Sequence, residues 1–263
     1  MRLPPIQGLI LRNVYLHRRS LPRLMEVVFW PVMDLMVWGY VSVWMRSAGG
    51  ALPRAMDFLL GALVLWTVLY RSQLGVTVAF LEDIWARNFV NVFVTPVRLS
   101  ELLVATGVFS VAKALATGGV LVPLAWWLYG TDVLALGSTG VGALVVLLLM
   151  GWSLGIVTTA LILRYGHAAE ALAWGIPFLI QPLSAVFYPV SVLPAWLRPV
   201  SWLLPSTHAF EGMRGFLETG RFPLRELAIG LALVVPFTTA AALFFRHQFA
   251  EVRRLGLLAK AGE

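Results

Sequence analysis

Long apolar stretches alternate with short polar breaks along almost the whole chain. Val133–Leu163, Ala171–Leu197 and Leu227–Phe245 carry no charge. Leu102–Leu128 is interrupted only by Lys113, Phe58–Leu81 only by Arg71, and Leu24–Met45 carries Glu26, Pro31 and Asp34. A helix that crosses the hydrocarbon core of a bilayer needs about 20 mostly apolar residues. The pattern therefore predicts six spanning helices, at 24–45, 57–80, 102–128, 141–163, 171–189 and 225–246. The run at 133–163 is too long for one crossing, and Gly137, Gly140 and Gly142 mark its approach. No repeat or separate soluble segment is visible, so residues 1–263 read as a single all-α, polytopic membrane domain.

The breaks between the runs have patterns of their own. At 5–20, Ile6, Leu9, Ile10 and Val14 recur at helical spacing while Arg12, Arg18 and Arg19 lie off that face. This predicts an amphipathic helix in the membrane interface. At 81–97, Leu81, Ile84, Trp85, Phe89, Val92 and Phe93 recur at helical spacing, Glu82, Asp83, Arg87, Asn88 and Asn91 take the other side, and Pro96 stops the helix. Such a segment suits docking into a partner's groove. Its apolar side is expected to anchor it to the membrane domain and its polar side to stay free for the partner. At 189–222, Pro189, Pro194, Pro199 and Pro205 allow only short helical pieces, in a stretch too apolar to be a solvated loop. Irregular backbone at membrane depth needs cover from protein or a water-lined cavity, so this stretch is expected to dip back into the outer leaflet.

Composition agrees with that picture and narrows it. Of 263 residues 59% are hydrophobic and 13% charged, against about 25% charged in a soluble domain. The formal charge is +7, but no basic stripe interleaves with stacking aromatics, which argues against nucleic acid. The basic residues instead mark one side of a membrane. With both termini in the cytosol, the inner side holds Arg2, Arg12, Arg18, Arg19, Arg23, Arg87, Arg98, Arg164, Arg246, Arg253, Arg254 and Lys260. The outer side then holds half as many: Arg46, Arg54, Arg198, Arg214, Arg221 and Arg225. The chain has no cysteine, which removes disulfides, thiol catalysis and cysteine–metal sites.

Three charges remain inside spans. Asp34 lies ~15 Å from the inner end of its span at 1.5 Å per residue, Arg71 at a similar height, and Lys113 slightly further out. A charge at mid-membrane costs at least about 2.5 kcal/mol, so the three are expected to meet one another or to line a conduit. Glu26, near the span boundary, is expected to reach water on its own.

Candidate chemistry is sparse. There is no phosphate loop and no H-E-x-x-H zinc pair. Gly151-Trp152-Ser153-Leu154-Gly155 matches G-x-S-x-G, and a rhomboid-like intramembrane serine hydrolase would use Ser153. It would need a histidine within reach, and the sixth span has none. Two glycines four apart more simply mark a close helix contact. A secondary transporter would need a titratable site in mid-membrane, for which Asp34 is the acidic candidate.

The layout and three local motifs resemble the ABC type-2 exporter permeases. Val94-Thr95-Pro96-Val97-Arg98-Leu99-Ser100-Glu101-Leu102 is similar to that family's ending of the coupling region. Tyr188-Pro189-Val190-Ser191 with Leu193-Pro194-Ala195-Trp196-Leu197 resembles its stretch after the fifth span. Pro205-Ser206-Thr207-His208 with Arg214 resembles the family's approach to the sixth. The resemblance implies a permease in the cytoplasmic (inner) membrane, paired with a second permease copy and served by ATP-binding cassette ATPase subunits. ATP and magnesium would sit on those partners, and no cofactor or metal on this chain. Glu82, Asp83, Trp85, Arg87, Asn88 and Pro96 would belong to the coupling helix, and the turn Arg164–Glu170 would make a second contact. Pro189, Pro194, Trp196, Pro205, His208 and Arg214 would build the re-entrant segment. The family's cargoes include lipid-linked glycans, drugs, peptides and lipids.

Overall fold

The computed structural model describes residues 3–47, 53–86, 95 and 97–255. Among these there is no strand. Nine α-helices are described, in chain order α1 (Leu3–Arg18), α2 (Leu21–Ser47), α3 (Pro53–Trp85), α4 (Leu99–Tyr129), α5 (Gly137–Tyr165), α6 (Leu172–Leu183), α7 (Arg198–Trp202), α8 (Pro205–Thr219) and α9 (Leu224–Arg254). Five of them, α2, α3, α4, α5 and α9, are long and apolar enough to cross a membrane.

The apolar stripe explains where the long helices run past their expected ends. Nothing breaks the helix between Phe58 and Trp85, and Leu81 and Ile84 continue its buried stripe, so α3 carries on through the start of the expected coupling segment. Likewise Phe245, Gln248 and Val252 keep one face of α9 buried to its end, with Phe245 stacked on Phe249 at 6.3 Å. The expected fifth span at 171–189 is corrected: its helix ends at Leu183 after 12 residues. Pro177 and Pro182 each remove a helical donor, and Ala185 turns the chain with a left-handed φ of 50°. Twelve residues reach only ~18 Å, so α6 alone is too short to cross.

α3 is the hub. It packs along α4 on one side and α5 on the other, and 89% of its most apolar window is buried, against 22% for α2 and for α9. The α3–α5 contact is close because of the two glycines. A Cβ on Gly151 would sit 2.5 Å from the Leu69 carbonyl oxygen, and one on Gly155 2.9 Å from that of Gln73. Polar groups inside this contact are mostly paired: the Ser72 hydroxyl donates to the Leu148 carbonyl at 3.0 Å, and Gln73 Nε2 reaches Thr77 and Thr158 hydroxyls and the Ala173 carbonyl.

α1 folds back on α4 and touches α2. Ile6, Leu9 and Ile10 are half-buried, but Val14 is exposed and Asn13 is buried instead. The inner face of α1 is therefore turned toward Asn13 and His17 relative to the expected apolar stripe. At the opposite end of the bundle, α8 packs over α5 and α9, and α7 sits against α8 to complete a cap.

Candidate functional site

Among the described residues the three in-span charges form no ion pair with one another, although Asp34 lies within electrostatic reach of Arg71. Arg71, 7% exposed, pairs with Glu26 at 3.5 Å. Lys113 Nζ lies 3.1 Å from His17 Nε2, and Asp34 is exposed on α2 with no ion pair. Both buried cations are met by groups from the first 26 residues. The Glu26 pairing was visible in principle, because Glu26 and Asp34 are eight residues apart and so share a helix face. The His17 contact was not, because it depends on how α1 folds onto α4.

Around these charges α2, α3 and α6 form an aromatic-lined face. Trp30 and Trp38 lie one turn either side of Asp34, and both are exposed. Trp38 stacks on Phe187 at 5.5 Å, and Tyr70 meets Phe178 at 5.8 Å. Glu26, Asp34 and Arg71 thus share one side of the bundle with rings from α2, α3 and the α6 region. Such a face is too polar for lipid and suits water or a second protein surface.

At the α1 end the expected coupling residues are more engaged than their pattern implied. Glu82 accepts from Arg23 Nε at 2.8 Å. Asp83 takes both arms of the Arg12 guanidinium, one of them at 3.2 Å. The hydrogen bond to Asp83 raises the Arg12 pKa against the opposing effect of burial. The expectation of a free polar face is therefore corrected at Glu82 and Asp83: long basic side chains from α1 and the start of α2 reach across and neutralise it. Trp85 is exposed, and its ring N–H donates to Glu170 at 2.8 Å, linking the end of α3 to the 166–171 turn. Arg87, Asn88 and Pro96 lie outside the described residues.

His17 is the second anchor of α1. Its Nδ1 faces the Asn13 carbonyl at 3.0 Å and its Nε2 faces Lys113. Burial, and then the nearby Lys113 charge, lower its pKa. The neutral ring fits both contacts: Nδ1–H donates to the carbonyl, and the Nε2 lone pair accepts from the ammonium.

The re-entrant residues are brought together at the cap. Pro189 precedes a single 3-10 turn at Val190–Val192, and Pro205 opens α8. His208 is buried between Glu226 Oε2 at 2.9 Å and the Trp202 carbonyl at 3.0 Å. Arg214 pairs with Glu211 at 2.7 Å, donates to the Ala185 carbonyl at 3.2 Å and lies 4.3 Å over the Phe58 ring. Glu211 also accepts from the Val190 backbone N–H at 2.8 Å. Pro194 and Trp196 sit on the exposed side of the cap and join none of these contacts. Protein covers the two ends of the irregular stretch, where the Ser184 and Ser206 hydroxyls meet at 2.6 Å and the Ser206 N–H faces Met150 Sδ, while much of 191–203 is exposed.

Ser153 lies inside α5, 1% exposed. Its hydroxyl donates to the Leu149 carbonyl at 2.9 Å and meets the Thr238 hydroxyl at 2.7 Å. Neither contact is a base, and the flanking glycines serve the α3–α5 contact. The arrangement is helix packing, with no sharp turn to present a nucleophile.

No curated protein matches the chain. The sequence profile of the ABC-2 type transporter family matches residues 7–217, from α1 nearly to the end of α8. With this match over most of its length and five helices among the described residues long and apolar enough to cross a membrane, the chain belongs to the ABC-2 type transporter family as a multi-pass membrane permease.

Proposed function

We propose that the chain is the permease subunit of an ATP-driven exporter in the cytoplasmic membrane. It crosses six times, with α6 and the cap together making the fifth passage, and both ends face the cytosol. α1 lies in the inner interface. Two permease copies face one another, and an ATP-binding cassette ATPase under each binds ATP and magnesium and supplies the work. Trp85, the segment just after it and the turn at 166–171 meet that ATPase. The Arg12–Asp83 and Arg23–Glu82 pairs tie α1 and α2 to the same end of α3, so a push there reaches three helices.

The observation that carries this reading is Asp34. It is exposed in the middle of a span, one turn from two exposed tryptophans. Lipid is a costly neighbour for a carboxylate; a water-lined conduit between two copies is not. Because the chain has no cysteine, single cysteines report on this directly. In membranes, Asp34→Cys is expected to react with a water-soluble thiol reagent. Leu115→Cys, on the exposed side of α4, is expected to stay unmodified. The permease is also expected to co-purify with its ATPase as a complex holding two copies of each, and Trp85→Ala to weaken that complex. Equal protection of both cysteines would remove the conduit. Purification as one copy without an ATPase would remove the exporter.

A further inference from the structure

We infer that His208 is a proton-operated latch that ties the α7–α8 cap to the start of α9. The ring touches three elements at once. It projects from α8, its Nδ1 faces Glu226 Oε2 on α9 at 2.9 Å, and its Nε2 faces the Trp202 carbonyl at the end of α7 at 3.0 Å. A carboxylate and a carbonyl can only accept. A neutral imidazole carries one N–H and satisfies one of them; the imidazolium donates to both. Glu226 stands in the first turn of α9, where a helix N-terminus favours an anion.

The ring is closely packed. The Trp202 ring lies 5.2 Å from it, centroid to centroid. A Cβ on Gly230 would sit 3.4 Å from His208 Cβ and 3.4 Å from the Pro205 carbonyl oxygen, and one on Gly212 3.3 Å from Glu226 Cβ. α8 and α9 are therefore drawn tight on both sides of the pair. The other charged groups of this region are committed elsewhere. Glu211 and Arg214, on α8 itself, pair with each other. Arg198 of α7 donates to the Ser191 and Leu193 carbonyls. Asp132, before the turn that α8 touches, caps that turn through Leu134 and Ala135. α5 brings no titratable side chain to this end, Arg225 of α9 is exposed, and α3 contributes the Phe58 ring under Arg214. Glu226 is thus the titratable group that faces His208 among the described side chains. Histidine changes charge within the ordinary biological pH range, so loss of one proton frees either the Glu226 carboxyl of α9 or the Trp202 carbonyl of α7 from the ring.

The test uses the full chain, 15N-labelled at histidine, in lipid nanodiscs from about pH 5.5 to about pH 8.5. At the acid end, the imidazole signal that is absent from His208→Asn is expected to show both nitrogens protonated. As the pH rises and that proton leaves, amide exchange across residues 198–219, corrected for its intrinsic pH dependence, is expected to speed about tenfold, and Glu226→Gln, which removes the facing charge, is expected to move the midpoint down. If His208→Asn does not fold, replacing His17, His167 and His247 isolates the same signal. A single neutral tautomer over the whole range, exchange that does not track the titration, or an unmoved midpoint in Glu226→Gln would each overturn the latch.

Discussion

Arg71 and Glu26 show how one side chain near a span boundary decides the state of another far inside. Arg71 is almost wholly enclosed, while Glu26 keeps a third of its side chain in contact with the surroundings. Glu26→Ala should therefore do more harm than Asp34→Ala, because it strands a buried cation. Breaking a buried pair costs about 3–5 kcal/mol, and the partial exposure of Glu26 brings the expectation to about 1–3 kcal/mol. Thermal denaturation in detergent measures both variants, and Glu26→Ala with Arg71→Ala together should cost less than the two singles added.

His17 gives a pH dependence of the opposite kind to an acid-operated latch. Its pKa is lowered in the folded chain, so between the folded value and the ordinary histidine value the unfolded chain binds more protons. Stability is then full above about pH 6.5 and falls as the pH drops through the lowered value. Melting at about pH 5 and pH 7 should show this loss, and His17→Asn should flatten it. In the sequence, Arg71 and Lys113 were legible as charges in need of partners. The His17 partner of Lys113 was not, because His17 sits where a side chain is ordinarily free to reach water, and only the fold of α1 over α4 brings it inward.

Among the elements, the five long helices were legible because lipid demands an unbroken apolar run and hydropathy records it. The end of α6 was not, since a proline is tolerated within a membrane helix and does not by itself announce a stop; the left-handed Ala185 completes the break. The end of α3 was missed for the converse reason. The change from apolar to amphipathic spacing at Leu81 looks like a boundary, yet no residue there interrupts the backbone. The glycines of α5 were legible as a contact, and the structure names their partner as α3. Gly151→Ala forces a methyl group onto the Leu69 carbonyl oxygen. With backbone on the other side the helices must part, at a cost of about 1–3 kcal/mol. Ser153→Ala removes two hydroxyl contacts and should cost about 1 kcal/mol. Comparing the two by melting temperature separates packing from chemistry. A serine-directed covalent probe should label neither wild type nor variant.

For the molecule as a whole, the enclosed position of α3 has a consequence for how the protein is made. The partner of Arg71 is already in place when α3 leaves the ribosome, since Glu26 precedes it. Some partners of Ser72 and Gln73 are not. Ser72 waits 76 residues for the Leu148 carbonyl; Gln73 waits 85 for Thr158 and 100 for Ala173. Until α5 and α6 are synthesised, the Ser72 hydroxyl lacks its Leu148 partner and Gln73 keeps only its Thr77 contact within α3, and polar groups left short of partners in hydrocarbon are penalised by the membrane. α3 therefore has to be held at the insertion machinery, or against a membrane chaperone, while more than two further helices are translated. Chains truncated after Gly130 should be cleared rapidly by quality-control proteolysis, and chains that extend past Leu183 should persist, as pulse-chase in growing cells would measure. Insertion of this permease is then one cooperative event centred on its second long helix, with the first standing ready as a template and the later ones closing around it.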